Sequence, residues 1–278
     1  IGIGAVTNLT DAYPWGLWVA VDVACGVALA AGGFTTAALI DIFGRRKFHP
    51  LLRPALLTAW LGYAFVAFAV FFDIGRYWNI WRPIFHWQGN SALFEVGMCV
   101  MTYLGVLTVE MSPTVLEGLR QRAGSEGRVG VLLDRLKRPV DGASRVVRAV
   151  LPLFIIAGVV LSMMHQSSLG TMMVIAPTKV SPLWFSPLLP LLFLLSAVMV
   201  GFPMVIVESL LASRAFRREP EMELLTPLAS YIPWTIAVYG VVRLGDLAWR
   251  WEAIGGQVHA SSVMAASVEI LVGLALPR

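Results

Sequence analysis

Residues 149–170 read AVLPLFIIAGVVLSMMHQSSLG, and this stretch combines the two features that decide the fold. Residues 149–163 are almost wholly apolar, whereas the run MHQSSLG at 164–170 groups four polar side chains. A polar group buried in hydrocarbon without a hydrogen-bond partner costs on the order of several kcal/mol. We therefore expect MHQSSLG either to end a helix where it reaches water or to form a binding site near the membrane surface.

The composition indicates an integral membrane protein. Hydrophobic residues make up 58% of the 278 residues and charged residues only 14%, with a mean hydropathy of +0.75; soluble domains carry about 25% charged residues. Cys25 and Cys99 are isolated within apolar runs and form no CxxC motif, which argues against structural zinc, iron–sulfur ligation and c-type haem. Because the chain begins at Ile1 and ends within an apolar segment, we expect it to be part of a longer protein.

Seven apolar segments are long enough, or nearly so, to cross a bilayer, which takes about 20 residues. Their lengths favour helices, and no long polar domain interrupts them. We predict an all-α, polytopic integral membrane protein: one transmembrane domain over residues 1–278, formed by a bundle of about seven helices. The predicted segments, A to G, cover residues 14–43, 51–73, 91–117, 147–165, 187–213, 226–247 and 261–277.

Basic residues predict the orientation of these segments. The A–B, C–D and E–F connections, with their helix ends, hold four, eight and three of the 21 Lys and Arg residues. Connections rich in Lys and Arg stay in the cytoplasm, so MHQSSLG and DIGRYWN (73–79) are predicted at the outer face. The net charge of +4 is explained by cytoplasmic loops beside anionic lipid and requires no nucleic-acid partner.

Several ionisable residues lie within the predicted membrane segments, where a charge costs about a few kcal/mol or more and usually faces protein or water. Glu95 and Glu110 are fifteen residues apart and share one broad face of segment C. Structural uses are also open: Glu110 and Glu208 can reach the inner membrane surface, and Glu269 and the other outer carboxylates can pair with arginine. As candidate stations for protons we take Asp22, Tyr63, Glu95, Glu110 and Glu208.

The histidines argue against haem b, which needs two intramembrane His residues on different helices. His49 is predicted in a cytoplasmic loop, His86 and His259 in or near outer loops, and His165 at the end of segment D. We expect this chain to bind neither haem nor metal.

Five strings resemble the NrfD/polysulfide reductase family of membrane subunits, in particular those of uptake nickel–iron hydrogenases. They are YPWGLW (13–18), FDIGRYWN (72–79), NSALFE (90–95), MHQSSLG (164–170) and VSPLW (180–184). The likeness runs in order from about residue 8 to residue 270. It departs from the hydrogenase subunits in a shorter outer loop at 80–89 and in VSPLW, which lacks the expected histidine.

The resemblance implies a haem-free, quinone-reactive subunit in a bacterial or archaeal cytoplasmic membrane, with its quinone site toward the outer face. It also implies a periplasmic iron–sulfur partner with four clusters, joined to a hydrogenase or a related oxidoreductase, and menaquinone or ubiquinone as the bound substrate. Tyr63, Glu95 and Glu208 correspond to buried polar residues of the family. Coupling of the quinone chemistry to proton translocation is a further expectation.

A quinone headgroup needs hydrogen-bond donors and acceptors, and a neutral histidine, an amide and hydroxyls supply both. We expect Asp73, Arg76 and Glu95 to lie at the depth of MHQSSLG and to exchange protons with the headgroup. The predicted quinone-binding residues are His165, Gln166, Ser167, Ser168, Asp73, Arg76 and Glu95.

Two other functions are compatible with the sequence. A secondary transporter also uses buried carboxylates, although no inverted repeat is visible. A passive membrane anchor would need no redox role, and MHQSSLG would then merely end a helix.

Overall fold

The computed structural model describes residues 5–8, 10, 18, 21, 23, 26–74, 76–122, 137–254 and 259–275. Within these residues the chain is helical. The helices are α1 (Gly26–Ile42, ending in a π-helical turn), α2 (His49–Asp73), the short α3 (Arg82–Phe85), α4 (Ala92–Arg122), α5 (Lys137–Val174), α6 (Leu189–Ala215), the short α7 (Met222–Ala229), α8 (Ile232–Ile254) and α9 (Ala260–Ile270, continued by a π-helical turn to Ala275).

The structure confirms an all-α, multi-pass membrane fold. Among the described residues, five helical stretches are long and apolar enough to cross a bilayer, and α1 and α9 are shorter apolar helices. Segment A was predicted to begin at residue 14, and most of its first half lies outside the described residues. Segment F is two helices, since α7 and α8 divide at residues 230–231.

Helix α5 packs between α4 and α6. Its most extensive contact is with α4, and it also packs against α6, while α2 contacts both α1 and α4. The main apolar cluster lies where α1, α2, α4 and α5 meet, and Val27, Ala59, Tyr63 and Leu107 are completely buried there. Large apolar residues such as Phe65 and Phe68 point outward from α2, as the lipid-facing surface of a membrane bundle requires.

The prediction that helix D ends at residue 165 is wrong. Helix α5 continues to Val174, so MHQSSLG lies within the helix and not at its end. At 1.5 Å per residue, nine further residues place His165 about 14 Å inside the end of α5. The close approach of α6 accompanies this extension: a Cβ atom added at Gly170 would lie 2.5 Å from the backbone oxygen of Leu189.

Candidate functional site: a buried polar column between three helices

Polar and small side chains line one face of α5. Gly158, Ser162, His165 and Ser168 are spaced by four, three and three residues, which places them on the same side of a helix. Ser162, His165 and Ser168 are at most 3% exposed. The helix therefore presents a continuous polar stripe to the interior of the bundle, directed at α4 and α2.

The opposing face of α4 carries ionisable residues. The Ser168 hydroxyl donates a 2.6 Å hydrogen bond to Glu95 Oε1. Further along α4, Tyr103 is 1% exposed and Glu110 is 8% exposed. Glu95 and Glu110 were predicted to share one broad face of this helix, and both approach α5, at Ser168 and at Gly158.

Tyr63 of α2 lies at the centre of the buried polar column. The column also contains Ser162, His165 and Ser168 of α5 and Tyr103 and Glu110 of α4. Its hydroxyl lies 3.1 Å from Nδ1 of His165, and both side chains are completely buried. Its ring also meets the ring of Tyr103 edge-on, with 4.6 Å between the centroids. Tyr63, predicted as a proton station, and His165, predicted as a quinone ligand, are thus direct partners.

The other ring nitrogen of His165, Nε2, is buried without a hydrogen-bond partner among the described residues. An unmet buried polar group of this kind costs about 1–3 kcal/mol. If the Tyr63 hydroxyl donates to Nδ1, then Nε2 carries the proton, whereas Nε2 is an acceptor if Nδ1 donates to the hydroxyl. Tyr63 can therefore decide whether His165 offers a donor or an acceptor to a ligand.

The column extends beyond His165 to Ser162 and Glu110. The Ser162 side chain lies next to both Tyr63 and Tyr103. At the next turn of α5, Gly158 leaves room for the Glu110 carboxyl, since a Cβ atom there would lie 2.5 Å from Glu110 Oε1. Sequence reasoning missed Tyr103 and Ser162. The available signal was their spacing, because Tyr103 lies eight residues after Glu95 and Ser162 lies three residues before His165.

Gln166 and Ser167 turn away from this column. The Gln166 side chain is 1% exposed and donates a 3.2 Å hydrogen bond to the backbone oxygen of Val27 in α1. Ser167 is only partly buried, and its backbone oxygen accepts a bond from Thr171. The polar run is thus compatible with the interior because its members find partners on different helices.

Asp73 and Arg76 do not share the depth of His165, so that expectation is wrong. Asp73 ends α2, ten residues or about 15 Å beyond Tyr63, and Arg76 is exposed just after it. Asp73 accepts a 2.7 Å hydrogen bond from Trp18 Nε1, which brings Trp18 to the end of α2.

Of the remaining predicted residues, Glu95 lies at the edge of the column and Glu208 lies apart from it. Glu95 bonds to Ser168 but is exposed, so it is not one of the buried residues that the family resemblance implied. Glu208 of α6 is half-buried and interacts with Thr58, which points from a different side of α2 than Tyr63. Asp22 lies outside the described residues.

A second polar cluster joins α8 and α9 to the connection before α6. Arg243, 4% exposed, pairs with Glu269 at 3.2 Å and donates to the backbone oxygen of Leu183. Trp184 Nε1 donates a 2.6 Å bond to the same carboxylate. The structural use of Glu269 as an ion-pair partner of Arg243, one of the sequence alternatives, is confirmed.

The histidines do not suit a bis-histidine haem b. Of the four, His165 alone is buried in the bundle, whereas His49, His86 and His259 are exposed. Within the described part of the chain, no three His, Cys, Asp or Glu side chains are grouped as they would be around a metal ion.

Comparison with known proteins gives the relatives of this chain. It is 37% identical over 257 residues to the probable Ni/Fe-hydrogenase 2 b-type cytochrome subunit of Escherichia coli, covering 90% of this chain and 60% of that protein. It is 28% identical over 263 residues to the integral membrane subunit of menaquinone reductase from Nitratidesulfovibrio vulgaris, covering 92% and 59%. A further N. vulgaris protein, whose name states no function, is 46% identical over 214 residues, or 77% and 50% of the two chains.

The chain thus spans between half and three-fifths of the length of these relatives. The family described as "Polysulphide reductase, NrfD" matches residues 5–272. This match covers nearly the whole chain, as the five strings in the sequence predicted. The chain therefore belongs to the NrfD family of polytopic membrane proteins.

Proposed function

We propose that this chain is the quinone-reactive part of a membrane subunit in a respiratory oxidoreductase complex. It exchanges electrons between an iron–sulfur subunit docked at the outer face of the cytoplasmic membrane and a membrane quinone. The relatives named as hydrogenase and menaquinone reductase subunits support this class of complex. Because the chain covers only part of those proteins, the catalytic partner and the four-cluster iron–sulfur subunit belong to the proposal.

The observation that carries the proposal is the unpartnered Nε2 of His165. A completely buried imidazole that contacts Tyr63 on one side, and has no partner among the described residues on the other, has a ring nitrogen available to hydrogen bond a ligand. A quinone carbonyl accepts such a bond, and the hydroxyl of a quinol donates one, so a histidine with a switchable tautomer suits both redox states. Ser168 lies one turn of α5 beyond His165 and is bonded to Glu95, so this pair is positioned to exchange protons with the quinone headgroup.

We propose that protons reach the inner side of the membrane along the column. Tyr63, Tyr103, Ser162 and Glu110 form a buried series between α2, α4 and α5, and water would have to fill the longer steps. Glu208 stands beside Thr58 on the other side of α2, so it serves this route only if a second connection exists.

We also propose that this part of the subunit carries no haem, although one relative is named a b-type cytochrome subunit. With one buried histidine, the chain offers one axial ligand where haem b of the bis-histidine type needs two. Electrons would then arrive directly from the partner's iron–sulfur cluster.

The experiment that tests the proposal compares His165→Gln with His259→Gln in the purified complex. His259 is exposed and lies outside the column, so it is the matched control. We expect His165→Gln to lose quinone turnover and to retain less co-purified quinone, while the partner enzyme still reduces a soluble dye. A transporter or a passive anchor would show normal quinone turnover in both variants, and that result would overturn the proposal.

A further inference from the structure

A cavity adjoins the proposed site on the side of α5 that faces away from the column. It has a volume of about 150 Å³ and lies between α1, α5, α6, α8 and α9. We call it the side chamber. Its polar lining comes from six side chains: Gln166, Trp184, Ser196, Tyr239, Arg243 and Glu269.

The size and charge of the side chamber indicate its contents. Pockets for drug-sized ligands have volumes of about 300–1,000 Å³, whereas one water molecule occupies about 30 Å³ of the liquid. A volume of 150 Å³ is therefore suited to a small group of water molecules. Arg243 and Glu269 neutralise each other at 3.2 Å, so the chamber offers no net charge to an ionic ligand.

The lining groups are arranged to hold water. The Glu269 carboxylate accepts bonds from Trp184, Tyr239 and Arg243, which fixes its orientation. The Ser196 hydroxyl donates to the backbone oxygen of Phe193, which leaves its own oxygen free to accept. Apolar Ala28, Leu189, Leu192 and Phe193 complete the lining. Ordered water in proteins makes about three hydrogen bonds, and the oxygens of Ser196, Tyr239 and Glu269 are the acceptors that the chamber offers it.

The side chamber lies next to the proposed site, because Gln166, which follows His165 in the chain, lines it. Ser196 lies about 10 Å from the start of α6, the end that the distribution of basic residues predicts to face outward. The Glu269 side chain is 29% exposed, so the far wall of the chamber reaches the surface of the described chain.

We propose that the side chamber is a water-filled branch through which protons pass between the outer face of the membrane and the buried site at His165. This rests on the proposed function. Two-electron reduction of a quinone takes up two protons, and oxidation of the quinol releases two; the electrons come from or return to the iron–sulfur partner. Arg243, Tyr239 and Glu269 are positioning residues that order the water, and Gln166 lies at the step between the chamber and His165.

Chemical labelling tests the hydration of the chamber independently of quinone chemistry. Ser196→Cys lines the chamber, whereas Ala197→Cys is the matched control, because Ala197 is completely buried against α1. We expect a small, membrane-impermeant methanethiosulfonate reagent, applied to the outer face of cells carrying the whole complex, to modify Ser196→Cys above the parent background and to spare Ala197→Cys. Equal labelling of the two variants, or labelling of Ser196→Cys only from the inner face, would overturn the proposal.

Filling the chamber tests its role in proton transfer. Ser196→Leu places an apolar side chain in the cavity, and Ser267→Leu makes the same change at an exposed position outside it. Since positioned proton transfer contributes about 10²–10⁴-fold, we expect Ser196→Leu to slow quinone turnover by roughly tenfold or more and to raise its solvent deuterium isotope effect. Ser267→Leu should stay close to the parent, and both should retain bound quinone.

The outcomes separate the two proposals. Suppose that Ser196→Leu turns over quinone at the parental rate with an unchanged isotope effect, while His165→Gln loses quinone turnover. The chamber then carries no protons, and the proposed function stands. If instead the His165→Gln complex turns over quinone normally, the proposed function fails, and the labelling of Ser196→Cys still reports whether the chamber holds water.

Discussion

Replacing Tyr63 with phenylalanine removes the one hydroxyl that holds His165 while preserving the shape of the core. The Tyr63 ring is completely buried and packs edge-on against Tyr103, and phenylalanine keeps that contact. The change therefore deletes the 3.1 Å contact to Nδ1 together with the neighbouring contact to Ser162. His165 would then have both ring nitrogens unpaired among the described residues.

The magnitude follows from that loss. A buried polar atom left without its partner costs about 1–3 kcal/mol, and each 1.4 kcal/mol is about tenfold in an equilibrium or a rate. If quinone turnover depends on the orientation and tautomer of His165, Tyr63→Phe should slow it by roughly 5- to 150-fold. The partner enzyme's reduction of a soluble dye should be unchanged.

The assay is quinone turnover by the purified complex in liposomes, with Tyr231→Phe as the control. Tyr231 packs against Phe48 and Phe202, outside the column, so this variant loses a hydroxyl elsewhere in the bundle. We expect Tyr231→Phe to affect turnover much less than Tyr63→Phe. Parental turnover in Tyr63→Phe, or an equal loss in both variants, would refute the assignment of Tyr63 to the orientation of His165.

Three further predictions concern packing and cofactors. Gly158→Ala should lower the unfolding temperature in detergent slightly, because its Cβ would lie 2.5 Å from Glu110 Oε1 and the flexible Glu110 side chain would have to move, whereas Gly105→Ala, with open space around it, should not. Gly170→Ala should destabilise the complex still more, because its Cβ would meet the rigid backbone of Leu189; a melting temperature equal to the parent's would contradict the close contact of α5 and α6. The reduced-minus-oxidised spectrum of the isolated subunit should lack a b-type band, and such a band at stoichiometric intensity would disprove the haem-free proposal.

The helices were largely predictable because apolar length alone specifies a membrane span. Segment B was predicted at 51–73, and α2 covers His49–Asp73, since the basic cluster before it and the polar string after it mark both ends. The end of α5 was not predictable in the same way. The partners that satisfy MHQSSLG come from distant parts of the chain: Tyr63 lies 102 residues from His165, and Val27 lies 139 residues from Gln166.

The same limit applies to the candidate site. His165 and Tyr63 were each singled out as polar groups in apolar surroundings, but their pairing depends on how α2 packs against α5. Asp73 and Arg76 were assigned to the site through the assumption that MHQSSLG ends a helix, and the longer α5 removes that assumption. Ser196 and Tyr239, which line the side chamber, carry no distinctive pattern in the sequence.

Photoaffinity labelling with an azidoquinone tests the central claim, that quinone binds beside His165, most directly. Trypsin cleaves after Arg148 and Lys179, so residues 149–179 form one peptide that contains the whole of MHQSSLG. After illumination of the intact complex, we predict that mass spectrometry finds the label on this peptide or on the facing part of α4, and that excess unlabelled quinone suppresses it. Competed labelling confined to other peptides, such as 180–214 of α6, with none on 149–179 or α4, would contradict the account.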